Sequence, residues 1–244
     1  MSNFDNYEYV LELVIKNGLY LQYASDKLKN NYNIVYNAVK QNSNSLEFAS
    51  NNLKNNKEII LRAVTNYGYL LQYASEELRN NEEFIYQVVQ KNGLSLEFAS
   101  DNLKNNYNIV LCAVKEYGSS LEFASDNLKN NKTIILEALY NDDESFFYAS
   151  DILKNDEVFI LELVKIDINM LSYISKELKN NKNFMLKLLK YNGLSLKYAS
   201  DELKNDKDIV LEAIKNNILS LKYASDELQI FFTLKSDKDI TYYN

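Results

Sequence analysis

The side chains of this 244-residue chain that could do chemistry fall into a few groups. Cys112 is the single thiol, and the chain has no histidine. A thiolate nucleophile needs a neighbouring base, so without imidazole every Cys-His or Ser-His-Asp arrangement and every histidine metal site is excluded. The densest acidic cluster is Asn141-Asp142-Asp143-Glu144. It lacks the Asp-x-Asp-x-Asp-Gly spacing that wraps calcium and reads as a solvated turn. The five glycines stand 25 or more residues apart. A phosphate-cradling loop needs several within one turn, so none is expected. Lys176, Lys179, Lys182, Lys187 and Lys190 form a basic stretch, and Tyr32, Tyr107 and Tyr140 could stack on bases. That combination suits RNA, but a net charge of −7 counts against nucleic acid and anionic membrane. No catalytic, metal-ligating or cofactor-binding residue emerges, and the chain is expected not to be an enzyme.

The elements that must position these residues are written as a repeat. A Leu-x-aromatic-Ala-Ser core recurs with its serine at Ser25, Ser50, Ser75, Ser100, Ser125, Ser150, Ser175, Ser200 and Ser225. Phe146 and Ile174 are the two departures from the Leu and Ala columns. A fixed period of 25 residues means stacked copies of one supersecondary unit, each burying its apolar face against its neighbours. The expected fold is all-α: a solenoid of nine 25-residue helical hairpins forming an elongated, right-handed superhelix. One domain covers residues 1–228, beginning with a half repeat at 6–18, and residues 229–244 form a C-terminal cap and tail.

Within a repeat, Ser95 to Lys104 spaces Leu96, Ala99 and Leu103 as one face of a short helix. The serines at 45, 95, 120, 145, 195 and 220 are expected to cap it. The Asn105-Asn106 pair ends it, the first in a left-handed conformation and the second capping the next helix. Tyr107 to Tyr117 follows, with Ile109, Val110, Ala113 and Val114 inward. Glycine at 18, 68, 93, 118 and 193 is expected at positive φ, closing that helix. Only Ile174 breaks the alanine column, so local widening is expected there. Gln229-Ile230-Phe231-Phe232 replaces the usual Lys-Asn-Asn. It reads as a cap over the last repeat in preference to a docking peptide, and residues 235–244 as a polar, frayed tail.

Columns that change from repeat to repeat are where a solenoid binds, while fixed columns build its core. One such column holds Glu12, Asn37, Arg62, Gln87, Cys112, Glu137, Glu162, Lys187 and Glu212, which predicts an exposed Cys112. Elsewhere Phe147, Ile152, Val158 and Ile166 stand where other repeats are mostly polar. Together with Tyr140, Arg62 and Cys112 they form the candidate partner surface. Repacking around the missing glycines at 143 and 168 explains the apolar residues equally well.

Residues 196–215, Leu-Lys-Tyr-Ala-Ser-Asp-Glu-Leu-Lys-Asn-Asp-Lys-Asp-Ile-Val-Leu-Glu-Ala-Ile-Lys, resemble the repeat catalogued as domain of unknown function 4116. The resemblance spans about residues 6–228 and implies a giant-virus or protist origin, but no activity and no functional residues. The expected function is a non-catalytic protein–protein interaction scaffold with an unknown protein partner. The alternatives are an RNA-binding helical repeat and a structural virion or accessory subunit. The opening residues lack a secretory leader and no apolar run reaches the roughly 20 residues of a membrane helix. The cytoplasm, or a virion, is therefore the expected location. A monomer and end-to-end self-association both remain open.

Overall fold

The computed structural model describes residues 3–240, with side chains through residue 234. Met1, Ser2 and the last four residues of the tail lie outside the described residues. All regular structure among the described residues is helical, and each repeat contains three helices rather than two. One repeat runs as a 3-10 helix Gly93–Phe98, a one-turn α-helix Asp101–Lys104 and a long α-helix Tyr107–Glu116. The expected first helix is broken at Ala99, whose φ of −68° and ψ of 161° are extended. Extended backbone cannot continue the hydrogen-bond ladder, so the Ala-Ser pair is a corner.

That corner explains the invariant serines. The Ser50, Ser75, Ser100 and Ser125 N–H groups each donate to the carbonyl of the residue ending the previous one-turn helix: Lys29, Lys54, Arg79 and Lys104. Ser175, Ser200 and Ser225 do the same to Lys154, Lys179 and Lys204. Their hydroxyls donate at 2.5–2.7 Å to the first asparagine of the preceding pair, from Asn30 for Ser50 to Asn205 for Ser225. In most repeats the same oxygen accepts from the N–H of the invariant leucine three residues on, as Ser200 does from Leu203. One small side chain therefore ties two repeats together and caps a helix. At the start of the chain Phe4 and Asp5 take the parts of the lysine carbonyl and the asparagine.

Three local expectations are corrected. Ser45, Ser95, Ser120, Ser145, Ser195 and Ser220 are buried and cap nothing; their hydroxyls have no hydrogen-bond partner. The 3-10 helices that contain them are capped instead by residues such as Asn42, Asn92 and Asp142. The first asparagine of each pair is not left-handed, with Asn105 at φ −101° and ψ 4°, while the second caps the long helix as expected. Nor does any described glycine have positive φ. A Cβ at Gly18, Gly93, Gly118 or Gly193 would stand 2.2–2.4 Å from the carbonyl oxygen of Ala38, Ala113, Ala138 or Ala213 in the next repeat. Glycine is required there because a backbone passes where a side chain would be.

The chain divides into two compact units, residues 1–149 and 150–244. Within the first, the long helices Tyr7–Lys16, Tyr32–Gln41, Lys57–Val64, Glu82–Val89, Tyr107–Glu116 and Lys132–Asn141 pack in succession, with the 3-10 helices as a second layer. Within the second, the long helices are Glu157–Val164, Lys182–Tyr191 and Lys207–Asn216. The core is the inward stripe of each long helix plus the leucine and alanine columns. Ile174 is buried in the alanine column, and its 3-10 helix Ile168–Ser172 is one residue shorter than its neighbours. The terminal helix extends over Asp226–Ile240, so residues 235–240 are helical rather than frayed. Its Phe231 ring lies 4.8 Å from the Lys207 Nζ, against the last long helix, while Ile230 and Leu234 are exposed.

Candidate functional site

The surface with the most chemistry is the outer face of the long helices. In Tyr107–Glu116 the buried residues Ile109, Val110, Ala113 and Val114 point inward. At about 100° per residue, Leu111 and Cys112 then fall on opposite flanks of the exposed arc. Leu111 belongs to a column that is apolar in every repeat: Leu11, Tyr36, Leu61, Tyr86, Leu111 and Leu136 in the first unit, then Leu161, Leu186 and Leu211. All nine are half-buried or exposed. Sequence reasoning missed this column because it merges with the wider apolar face. Its uniformity at a surface position was the signal that could have found it.

Two hollows open on this row in the first unit. One, of about 650 Å³, lies between Glu82–Val89 and Tyr107–Glu116 and is lined by Tyr86, Leu111 and Cys112 together with Glu82, Glu83 and Lys115. The other, of about 230 Å³, is lined by Tyr36 and Lys91 and by Glu58, Leu61, Arg62 and Thr65 of the intervening helix. Arg62 and Cys112 thus occupy matching places, each beside the apolar residue of the preceding helix. Cys112 is half-buried rather than exposed, and burial pushes its thiol pKa up, so it is a poor nucleophile at neutral pH. The Tyr32 hydroxyl donates to Glu58 at 2.7 Å, which raises its pKa to about 12, and its ring stacks on Tyr36.

The remaining candidates are scattered. In the first unit Tyr140 is 87 % exposed, and Phe147, 63 % exposed, rests edge-on against Tyr148 at 5.4 Å. In the second, Ile152 is 69 % exposed on the one-turn helix Asp151–Lys154. Val158 and Ile166, 65 % and 78 % exposed, sit near the start and beyond the end of the long helix Glu157–Val164. Eight residues of helix separate them by roughly 12 Å. The structure therefore does not gather these side chains into one patch. The basic stretch is also partly spent. Lys182 pairs with Asp206 at 2.7 Å and Asp208 at 3.1 Å, Lys187 pairs with Glu157 at 3.0 Å, and Lys179 donates to the Ser172 carbonyl. In the acidic cluster, Asp142 accepts from the Glu144 N–H as a helix cap.

Stacked helical repeats with this period and an unbroken register define an α-solenoid repeat protein. The sequence profile of the family described as a domain of unknown function, DUF4116, matches residues 6–54, 33–79, 56–104, 81–129, 106–154, 131–179 and 181–229, and the chain belongs to that family. No curated protein and no solved structure matches the chain. Among the described residues no helix is long and apolar enough to cross a membrane.

Proposed function

We propose that the protein is a non-catalytic scaffold that binds another protein through its helical repeats. One observation carries the reading: large apolar side chains stand in solvent at repeat positions that other copies fill with polar residues. Phe147 replaces the Gln22, Glu47, Gln72, Glu97, Glu122, Ser172, Lys197 and Lys222 of its column, and Ile152 stands among Lys, Asn and Glu. Exposed apolar surface costs solvation and earns nothing in the free chain, whereas an interface buries it. The interlocked serine column supports the same view, since its invariant polar side chain is engaged in holding the lattice.

The test is affinity purification of the intact chain from its native host, with Phe147→Ser and Ile152→Ser introduced singly and together. The expected result is a discrete protein that co-purifies with the parent chain and is lost from at least one variant. Recovery of the same proteins by the double variant would remove these residues from the interface. Salt-sensitive retention on RNA with no bound protein would overturn the scaffold reading itself.

A further inference from the structure

Resting on the scaffold reading, we infer that the long-helix face of the first unit is a docking track for an amphipathic helix of a partner protein. The partner helix would carry an apolar residue at every seventh position, acidic residues along one flank and basic residues along the other.

The first part of the argument is the apolar row. Leu11, Tyr36, Leu61, Tyr86, Leu111 and Leu136 recur once per long helix, at a position never fully buried. Packed helices stand roughly 8–10 Å apart. Seven residues of α-helix rise roughly 10.5 Å, so a helix crossing the row with a heptad stripe presents about one apolar side chain to each repeat. The hollows beside Tyr86 and Tyr36 would receive such side chains.

The second part is the charge on either side of the row. Over the four long helices from Tyr32–Gln41 to Tyr107–Glu116, the exposed charges at the helix starts are Glu58, Glu82, Glu83 and Lys57. Those at the helix ends are Lys40, Lys91, Lys115 and Glu116. One edge is therefore net acidic and the other net basic, with the apolar row between them. Acid at helix starts and base at helix ends also suit the helix dipoles, at a few tenths of a kcal/mol each. The dipoles do not call for a half-exposed apolar column between the edges. Charge complementarity then selects a partner with one acidic and one basic flank, lying across the long helices.

The experiment uses the full chain and fluorescein-labelled synthetic 28-residue helical peptides. The first three share a leucine heptad stripe. One has a glutamate flank and a lysine flank, a second has lysine on both, a third glutamate on both, and a fourth has the split composition with its leucines scrambled. Fluorescence anisotropy should show the split-flank peptide binding about tenfold more tightly than the other three. In the triple variant Lys40→Glu, Lys91→Glu, Lys115→Glu both edges are acidic, and preference should pass to the double-lysine peptide. The three lysines are exposed, so circular dichroism should show the fold retained. Equal binding of the split and scrambled peptides, no binding by any peptide, or an unchanged preference in the variant would each overturn the track. A host protein still captured by the triple variant would show that the scaffold reading survives without it.

Discussion

Two neighbouring interfaces inside the second unit use the same repeat and close differently. Between Lys182–Tyr191 and Lys207–Asn216 the helices approach closely along their length. Gly193 seats its backbone against the Ala213 carbonyl, its N–H donates to Asn216 Oδ1 at 2.7 Å, and Asn216 Nδ2 returns a bond to the Lys190 carbonyl. Between Glu157–Val164 and Lys182–Tyr191 the corresponding residue is Ile168, and the long helices share far fewer close backbone approaches. The 3-10 layers also meet more sparingly there. Ile168 stands at the glycine position there, and a buried Ile174 fills the alanine column beside it. Val158 and Ile166 reach solvent at the long helix of this interface in columns that are exposed in every repeat, so their exposure does not depend on the spacing.

The comparison can be broken from its tight side. Gly193→Val places a branched side chain on the Ala213 carbonyl. It should destabilise the protein by about 3 kcal/mol in urea unfolding and speed amide exchange in residues 207–216. Equal stability would show that Cβ clearance does not set the spacing. A smaller effect separates the two serine columns. Ser200→Ala removes the bond to Asn180 and the cap on Leu203 and should cost about 1–2 kcal/mol. Ser195→Ala, at a buried hydroxyl without a partner, should be neutral or slightly stabilising by the same measurement.

The ion pairs sharpen the contrast further. At the tight interface, hydrogen bonds to Asp206 and Asp208 raise the Lys182 pKa. Desolvation pushes Asp206 up, but its bonds from Lys182 and the Ile209 and Asp208 N–H groups outweigh this and leave its pKa lowered. The Lys182 contribution is then fully present below pH 10.5 as far as that group is concerned and is lost as pH rises through its raised folded value. The Asp206 contribution is present above pH 3.8 and is lost as pH falls through its lowered folded value. The melting-temperature gap between the parent and Lys182→Met should therefore be a plateau that closes at both extremes. A gap independent of pH would assign the loss to packing of the lysine stem. At the loose interface the exposed Lys187–Glu157 pair should be worth the least. Lys187→Met should change stability by under about 0.5 kcal/mol, and 0.5 M salt should erase the change.

Much of this fold was legible in the sequence. Period, helical class, leucine and alanine columns and the capping asparagines such as Asn106 all follow from local chemistry repeated nine times. The role of the glycines was not, because a glycine at positive φ and a glycine crossed by a neighbouring backbone look identical in a sequence. Ser95 invited a capping role by its place before Leu96, yet it is buried and Asn92 caps instead. The candidate surface was legible only residue by residue. Phe147 and Ile152 announced themselves by breaking their columns. Leu111 and Tyr86 obey theirs, and only the fold shows that their column reaches solvent.

The amino-acid order alone determined that this chain is a lattice of 25-residue helical units, because hydrophobic period, caps and turn residues act within a few positions of one another. Tertiary structure alone decided how closely successive units approach and which ordered column faces outward. Those outcomes depend on atoms about 20–27 residues apart, such as the Gly193 backbone and the Ala213 carbonyl or the Ser200 hydroxyl and Asn180, meeting across an interface that no single repeat contains.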